Sequence, residues 1–176
     1  MKKGIAITGL FTALTIAGAQ IVIPIGPVPF TLQVLFVLLS GMMLGSKLGA
    51  LSQIVYVIMG AMGFPVFAGF HGGLVHLIGP TGGFLLAFPI AAYIAGLNNE
   101  KFKFSSFLTK GSLGLGVIYL LGWGWLAIYL KDPLKSFFVG VVPFIMVDFI
   151  KLLLATYITM KFKQTVSSSL KEVRRV

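Results

Sequence analysis

The sequence predicts an all-α integral membrane protein with six transmembrane helices and both termini in the cytoplasm. Three observations carry that expectation. Of 176 residues, 57% are hydrophobic and only 10% charged, more apolar surface than a water-soluble domain of this size can bury. The apolar residues fall into six runs of spanning length, divided by Gly, Pro and Lys. The basic residues concentrate on alternate connections, the asymmetry that orients membrane proteins. No polar linker long enough to separate two units interrupts the chain, so residues 1–176 are expected to form a single transmembrane domain.

The first span is read as Gly4–Ile23. Lys2-Lys3, the apolar run and Ala17-Gly18-Ala19 also imitate a secretory signal with its cleavage site. The run is long for such a signal, and removing it would break the in–out alternation, so a retained helix is expected. The second and third spans, Pro29–Ser46 and Lys47–Phe64, are short and meet at Gly45-Ser46-Lys47; a re-entrant pair is the alternative there. The fourth, Thr81–Leu97, follows Gly79-Pro80-Thr81-Gly82-Gly83, which reads either as a turn or as a weak anion site on backbone N–H groups. The fifth is Gly111–Leu130. The sixth, Pro143–Met160, opens on a proline, a residue well suited to the first helical turn. Each span has about 17 to 20 residues, within the length needed to cross the hydrocarbon core.

With these spans, Lys2, Lys3, Lys47, Lys101, Lys103, Lys110, Lys161, Lys163, Lys171, Arg174 and Arg175 fall on one side. Only Lys131 and Lys135 fall on the other, and Lys151 lies within the last span. The crowded side is the cytoplasm, and the first, third and fifth connections face outward. The same placement accounts for the net charge of +10 without nucleic acid. Cysteine is absent, which excludes disulfides and thiol chemistry. Gly41–Lys47 looks briefly like a phosphate loop, but its spacing fails and it is apolar. Paired carboxylates, a Gly-x-Ser-x-Gly turn and a metal-ligand cluster are all missing from the sequence, so neither enzyme activity nor a cofactor is expected. His71 and His76 have no acid or Cys near them and are not read as metal ligands.

The chemistry concentrates in Met146-Val147-Asp148-Phe149-Ile150-Lys151. Counted from Pro143, Asp148 lies roughly 8 Å and Lys151 roughly 12 Å below the outer end of the helix. A spacing of three puts them on one face. A lone charge at that depth costs at least about 3 kcal/mol, so the pair must face protein or water. An internal salt bridge is one reading and a polar ligand site open to the outside is the other. Lys151 suits a carboxylate, while Asp148 suits N–H groups. The first connection, Pro24–Gln33, adds Thr31 and Gln33, whose bland readings are a cap and an interhelical hydrogen bond. The third connection interleaves Phe64, Phe67 and Phe70 with glycines, a backbone that can approach a ligand while covering its apolar part. In the first helix, Gly9, Ala13 and Ala17 recur every four residues. Such a stripe lets another helix approach closely, either within the bundle or from a partner.

Taken together, PVPFTLQVLF at Pro27–Phe36, GSKLGALSQIVY at Gly45–Tyr56, GFPVFAGFHGG at Gly63–Gly73, GPTGGFLLAF at Gly79–Phe88 and VDFIK at Val147–Lys151 resemble the BioY family. These are the biotin-specific substrate-binding (S) components of energy-coupling factor transporters. The resemblance implies a six-helix bundle in the prokaryotic plasma membrane that binds biotin at its extracytoplasmic side. It implies ligand contacts at Asp148 and Lys151, with Phe67, Gly69, Phe70 and His76 lining the pocket. Some relatives are expected to carry an amide side chain near position 69, where Gly69 leaves the contact to backbone groups. It also implies that Gly9, Ala13 and Ala17 dock on a transmembrane coupling subunit (EcfT) driven by paired ATPase subunits. A solitary biotin permease, or an S component for another small vitamin, are the alternatives.

Overall fold

The computed structural model describes residues 2–97 and 103–174. Lys101 and Arg175, two of the charges used to orient the chain, lie outside the described residues. The elements are α1 (Lys2–Gln20), β1 (Val22–Ile23), β2 (Phe30–Thr31), α2 (Gln33–Leu44), α3 (Ser46–Ala61), α4 (Leu74–Ile78), α5 (Gly82–Ala95), α6 (Phe104–Leu130), α7 (Pro133–Gly140) and α8 (Ile145–Arg174). Six of these helices, among the described residues, run 12 residues or more. By length and composition, α6 and the stretch Pro133–Lys163 can each cross a bilayer; Gly4–Gln20, α2, α3 and α5 are shorter apolar helices.

The polar residues of α1 are absorbed locally. The hydroxyls of Thr8, Thr12 and Thr15 donate to the carbonyls of Gly4, Thr8 and Phe11 at 2.9, 3.2 and 2.9 Å, which removes the cost of a bare hydroxyl in an apolar setting. The first connection is stiffened by Pro24, Pro27 and Pro29 and turns at Gly26, whose φ is +64°. It forms a small antiparallel ribbon pairing Val22 with Thr31 and Ile23 with Phe30. Helix α2 therefore starts at Gln33, four residues after the expected Pro29. Gly45, at φ +85°, both ends α2 and precedes α3, so the two helices are joined by one residue.

Three further differences from the sequence expectation have physical reasons. Helix α6 begins at Phe104, before Gly111, Gly114 and Gly116. Glycines divide helices readily in water but are tolerated in apolar bundles, where they admit neighbours. A Cβ on Gly114 would meet Ala91 and Leu38, and one on Gly111 would meet Leu152 and Met42. Helix α7 was not anticipated. Asp132 caps it by accepting the Lys135 N–H at 2.9 Å, with Pro133 at its first position. A 3₁₀ turn over Val142–Phe144 then precedes α8, which places Asp148 within the first helical turn, about 5 Å from the start.

Two apolar clusters fill the bundle. One joins Tyr56, Phe67, Phe84, Phe88, Ile118 and Phe144; the other joins Phe11, Leu38, Met42, Phe107 and Leu152. The outside is apolar as well: Ile5, Leu10, Leu120, Ile128, Met146 and Ile150 are all exposed. An apolar exterior around a packed interior suits a lipid surrounding. Gly9, Ala13 and Ala17 lie on this outer surface, and a Cβ on Gly9 would meet nothing within 4 Å. The small-residue stripe therefore faces away from the bundle rather than packing within it.

Candidate functional site

A cavity of about 540 Å³ opens at the end of the bundle bordered by the first and third connections. That volume lies in the range of small-molecule sites, roughly 300 to 1,000 Å³. Its lining runs from a buried charged end to an exposed rim. Asp148, Lys151 and Tyr119 form the charged end; Phe84, Phe88, Ile118 and Phe144 supply apolar walls; His71, Val75 and Pro24 stand nearer the rim.

Asp148 and Lys151 remain only 2% and 6% exposed. Lys151 Nζ donates to Asp148 Oδ1 at 2.6 Å, and the Tyr119 hydroxyl donates to Oδ2 at 2.9 Å. Phe30 lies beside the ammonium, 5.9 Å from ring centroid to Nζ, and stacks on Phe144 at 4.3 Å. The charges are thus paired with each other, as the salt-bridge reading has it, and they also border the cavity. A neighbouring relay is neutral. Gln33 Nε2 donates to the Tyr56 hydroxyl at 2.6 Å, and the Thr31 hydroxyl donates to Gln33 Oε1 at 2.8 Å. Gln33 makes the interhelical bond anticipated for it and still lines the cavity with Thr31.

In the third connection, Phe67, Gly69 and His76 border the cavity, together with Ala68 and His71. Phe70 does not: its side chain is exposed and lies outside the lining. The reason is backbone geometry, since Gly69 and Phe70 both adopt positive φ, +72° and +60°, and the turn throws the phenyl ring outward. The rings of His71 and His76 sit 5.0 Å apart, and His71 Nδ1–H donates to the Ala68 carbonyl at 2.8 Å. Partial burial, and secondarily the nearby His71, lower the pKa of His76 below 6.5. Among the described residues no three His, Cys, Asp or Glu side chains converge as a metal site would require.

Tyr119, Tyr56 and the phenylalanine walls were not singled out from sequence. A tyrosine within an apolar helix carries no signal of its own, and Tyr119 meets Asp148 across 29 residues of chain. The arrangement sets a carboxylate beside an ammonium and a phenol hydroxyl. It can bind a small molecule that has an apolar body and adjoining hydrogen-bond donors and acceptors.

Fold and cavity define a helical membrane protein of the ligand-binding type. The chain belongs to the BioY family, whose family model matches residues 1–168; the family is a transporter substrate-binding component, not an enzyme. It is 54% identical over 149 residues to the "Probable biotin transporter BioY" of Pyrococcus horikoshii, covering 85% of this chain and 89% of that one. It is 51% identical over 157 residues to the "Biotin transporter BioY" of Thermotoga maritima, covering 89% and 93%. The fold is similar to a crystal structure of the S-component for biotin from an ECF-type ABC transporter, with a TM-score of 0.86 at 27% identity, over 92% of this chain and 91% of that one.

Proposed function

We propose that this chain is the biotin-capturing subunit of an ATP-driven energy-coupling factor importer. It forms one transmembrane domain of six spans in the plasma membrane, with both termini cytoplasmic and the cavity open to the outside. The observation that carries the reading is the buried Asp148–Lys151–Tyr119 group at the closed end of an apolar cavity. Buried ion pairs are weaker stabilisers than apolar packing, whereas biotin needs a polar end for its ureido ring and apolar walls for its sulfur ring. The names of the relatives and of the similar crystal structure support the same substrate.

Two orientations of biotin fit the site. In the first, Lys151 leaves Asp148 to take the valerate carboxylate while Asp148 takes the ureido N–H groups. The 2.6 Å ion pair favours the second. Paired as they stand, the two side chains present an acceptor beside a donor, the pattern of a cyclic urea with its N–H and C=O adjacent. The carboxylate then points to the rim. Lys151→Ala with biotin and an uncharged biotin amide separates them: biotin loses more affinity in the first orientation, and both lose equally in the second.

The outward Gly9–Ala13–Ala17 row is the face offered to the transmembrane coupling subunit, through which the paired ATPases act. Ala13→Trp is expected to abolish coupled uptake while leaving biotin binding intact. Calorimetric titration of the purified protein with biotin, riboflavin and thiamine tests the substrate; preference for either of the other vitamins overturns it. Biotin uptake by this chain in cells without the coupling subunit and its ATPases would replace the importer reading with that of a solitary permease.

A further inference from the structure

We infer that Gln20 is a positioning residue: its side-chain amide fastens segment 66–71 of the third connection to the end of α1 and so fixes one wall of the cavity. The consequence for binding rests on the biotin reading above; the fastening itself does not.

Gln20 is the last residue of α1. Its Nε2 donates toward the carbonyls of Ile16, Val66 and Phe67 at 3.2, 3.4 and 3.3 Å, and its Oε1 accepts the Phe70 N–H at 2.7 Å. A primary amide offers donors at one corner and an acceptor at the other. Here the donor corner meets the start of the segment and the acceptor corner meets its end. The segment needs an external hold. Gly69 and Phe70 follow one another in left-handed backbone, and Phe pays for that geometry through its Cβ. Such conformations persist only where the surroundings determine them.

The bonds within the segment do not supply that hold. The Phe67 N–H donates to the His71 carbonyl at 2.9 Å and His71 Nδ1–H to Ala68 at 2.8 Å, which closes the loop on itself. Phe67 packs on Gly60 and Tyr56 of α3, so its own place is set by contact. Beyond Phe67, the Gly73 N–H donates to the Gly60 carbonyl of α3 at 2.7 Å, and between these two anchors the amide of Gln20 reaches Phe70. Ala68, Gly69 and His71 border the cavity, and their position follows from it.

The test uses the full chain in lipid nanodiscs, carrying Gln20→Met, which keeps the length and loses the amide, or Gln20→Glu, which keeps the acceptor. Gln20→Met is expected to speed biotin release about tenfold, the effect of losing hydrogen bonds worth roughly 1.4 kcal/mol. Amide exchange should quicken at 68–71, most at Phe70, with the melting temperature unchanged. Gln20→Glu is expected to keep the Phe70 N–H protected and recover part of the residence time. Unchanged exchange at Phe70 in Gln20→Met overturns the inference. So does a general rise in exchange across α1 and α3 with a lower melting temperature, which marks a merely structural residue. Should the chain bind no biotin, the exchange arm alone decides, because it needs no ligand.

Discussion

Two groups of buried polar side chains sit in this bundle under opposite conditions. In the first, Gln53 of α3 donates to the hydroxyls of Thr15, Ser40 and Ser52 at 3.1, 3.2 and 3.1 Å, and none of these residues has any exposure. Each hydroxyl also returns to a carbonyl of its own helix. The group does not line the cavity described above. It is neutral, ties α1, α2 and α3 together, and leaves Gln53 Oε1 without a hydrogen bond among the described residues. The second group, Asp148, Lys151 and Tyr119, is charged and lines the cavity. Polarity alone therefore does not mark the ligand site. Neutral groups sealed between helices fix how the helices pack, while charges beside a cavity are placed where an entering molecule can meet them.

The sharpest way to break this contrast is Asp148→Ala. It leaves the Lys151 ammonium buried and unpaired, a change worth about 3 to 5 kcal/mol. Thermal stability should fall, and calorimetry should find biotin affinity reduced by more than about 100-fold. The double variant Asp148→Asn with Lys151→Met removes the stray charge, so stability should return while binding does not. A double variant that binds biotin normally would make the two groups alike in function. Next in size, Gln53→Ala should cost about 2 kcal/mol of stability through a cavity and lost bonds, with an unaltered Kd for biotin.

Tyr119→Phe removes only the hydroxyl bonded to the carboxylate. Biotin should bind roughly tenfold more weakly, with little change in melting temperature. The smallest effect lies at the rim. His76 titrates below 6.5 in the folded protein, so the unfolded chain binds more protons in that range. Stability should be complete above pH 6.5 and decline slightly as pH falls through the lowered value, a decline that His76→Gln removes. Proton NMR should place the His76 midpoint below 6.5, and His71→Ala should move it upward, since the neighbouring ring is the second cause of the shift.

The charged group was legible in the sequence because ionised residues inside an apolar run are costly, so Asp148 and Lys151 stand out wherever they are met. Thr31 and Gln33 were legible for the weaker reason that few polar residues open an apolar helix. Tyr119 and Tyr56 were not, because tyrosine is at home in such helices and its partner is chosen by tertiary packing. Phe70 shows a different limit: its composition suits a pocket wall, but the sign of φ at 69 and 70 decides which way the ring points. The helices themselves were legible through hydropathy. Their ends were less so, because Gly111 and Gly114 serve close approach rather than termination, and the Asp132-Pro133 signal of α7 lay in what looked like a plain connection.

Gly45 has a mechanical consequence. A joint of one residue cannot let α2 and α3 slide past each other, and it lies about 18 Å along α2 from Gln33. The α2–α3 pair is therefore held together at that joint. Any parting of these two helices has to open at their opposite ends, where the first and third connections lie, much as a clothes-peg with a fixed spring can open only at its jaws.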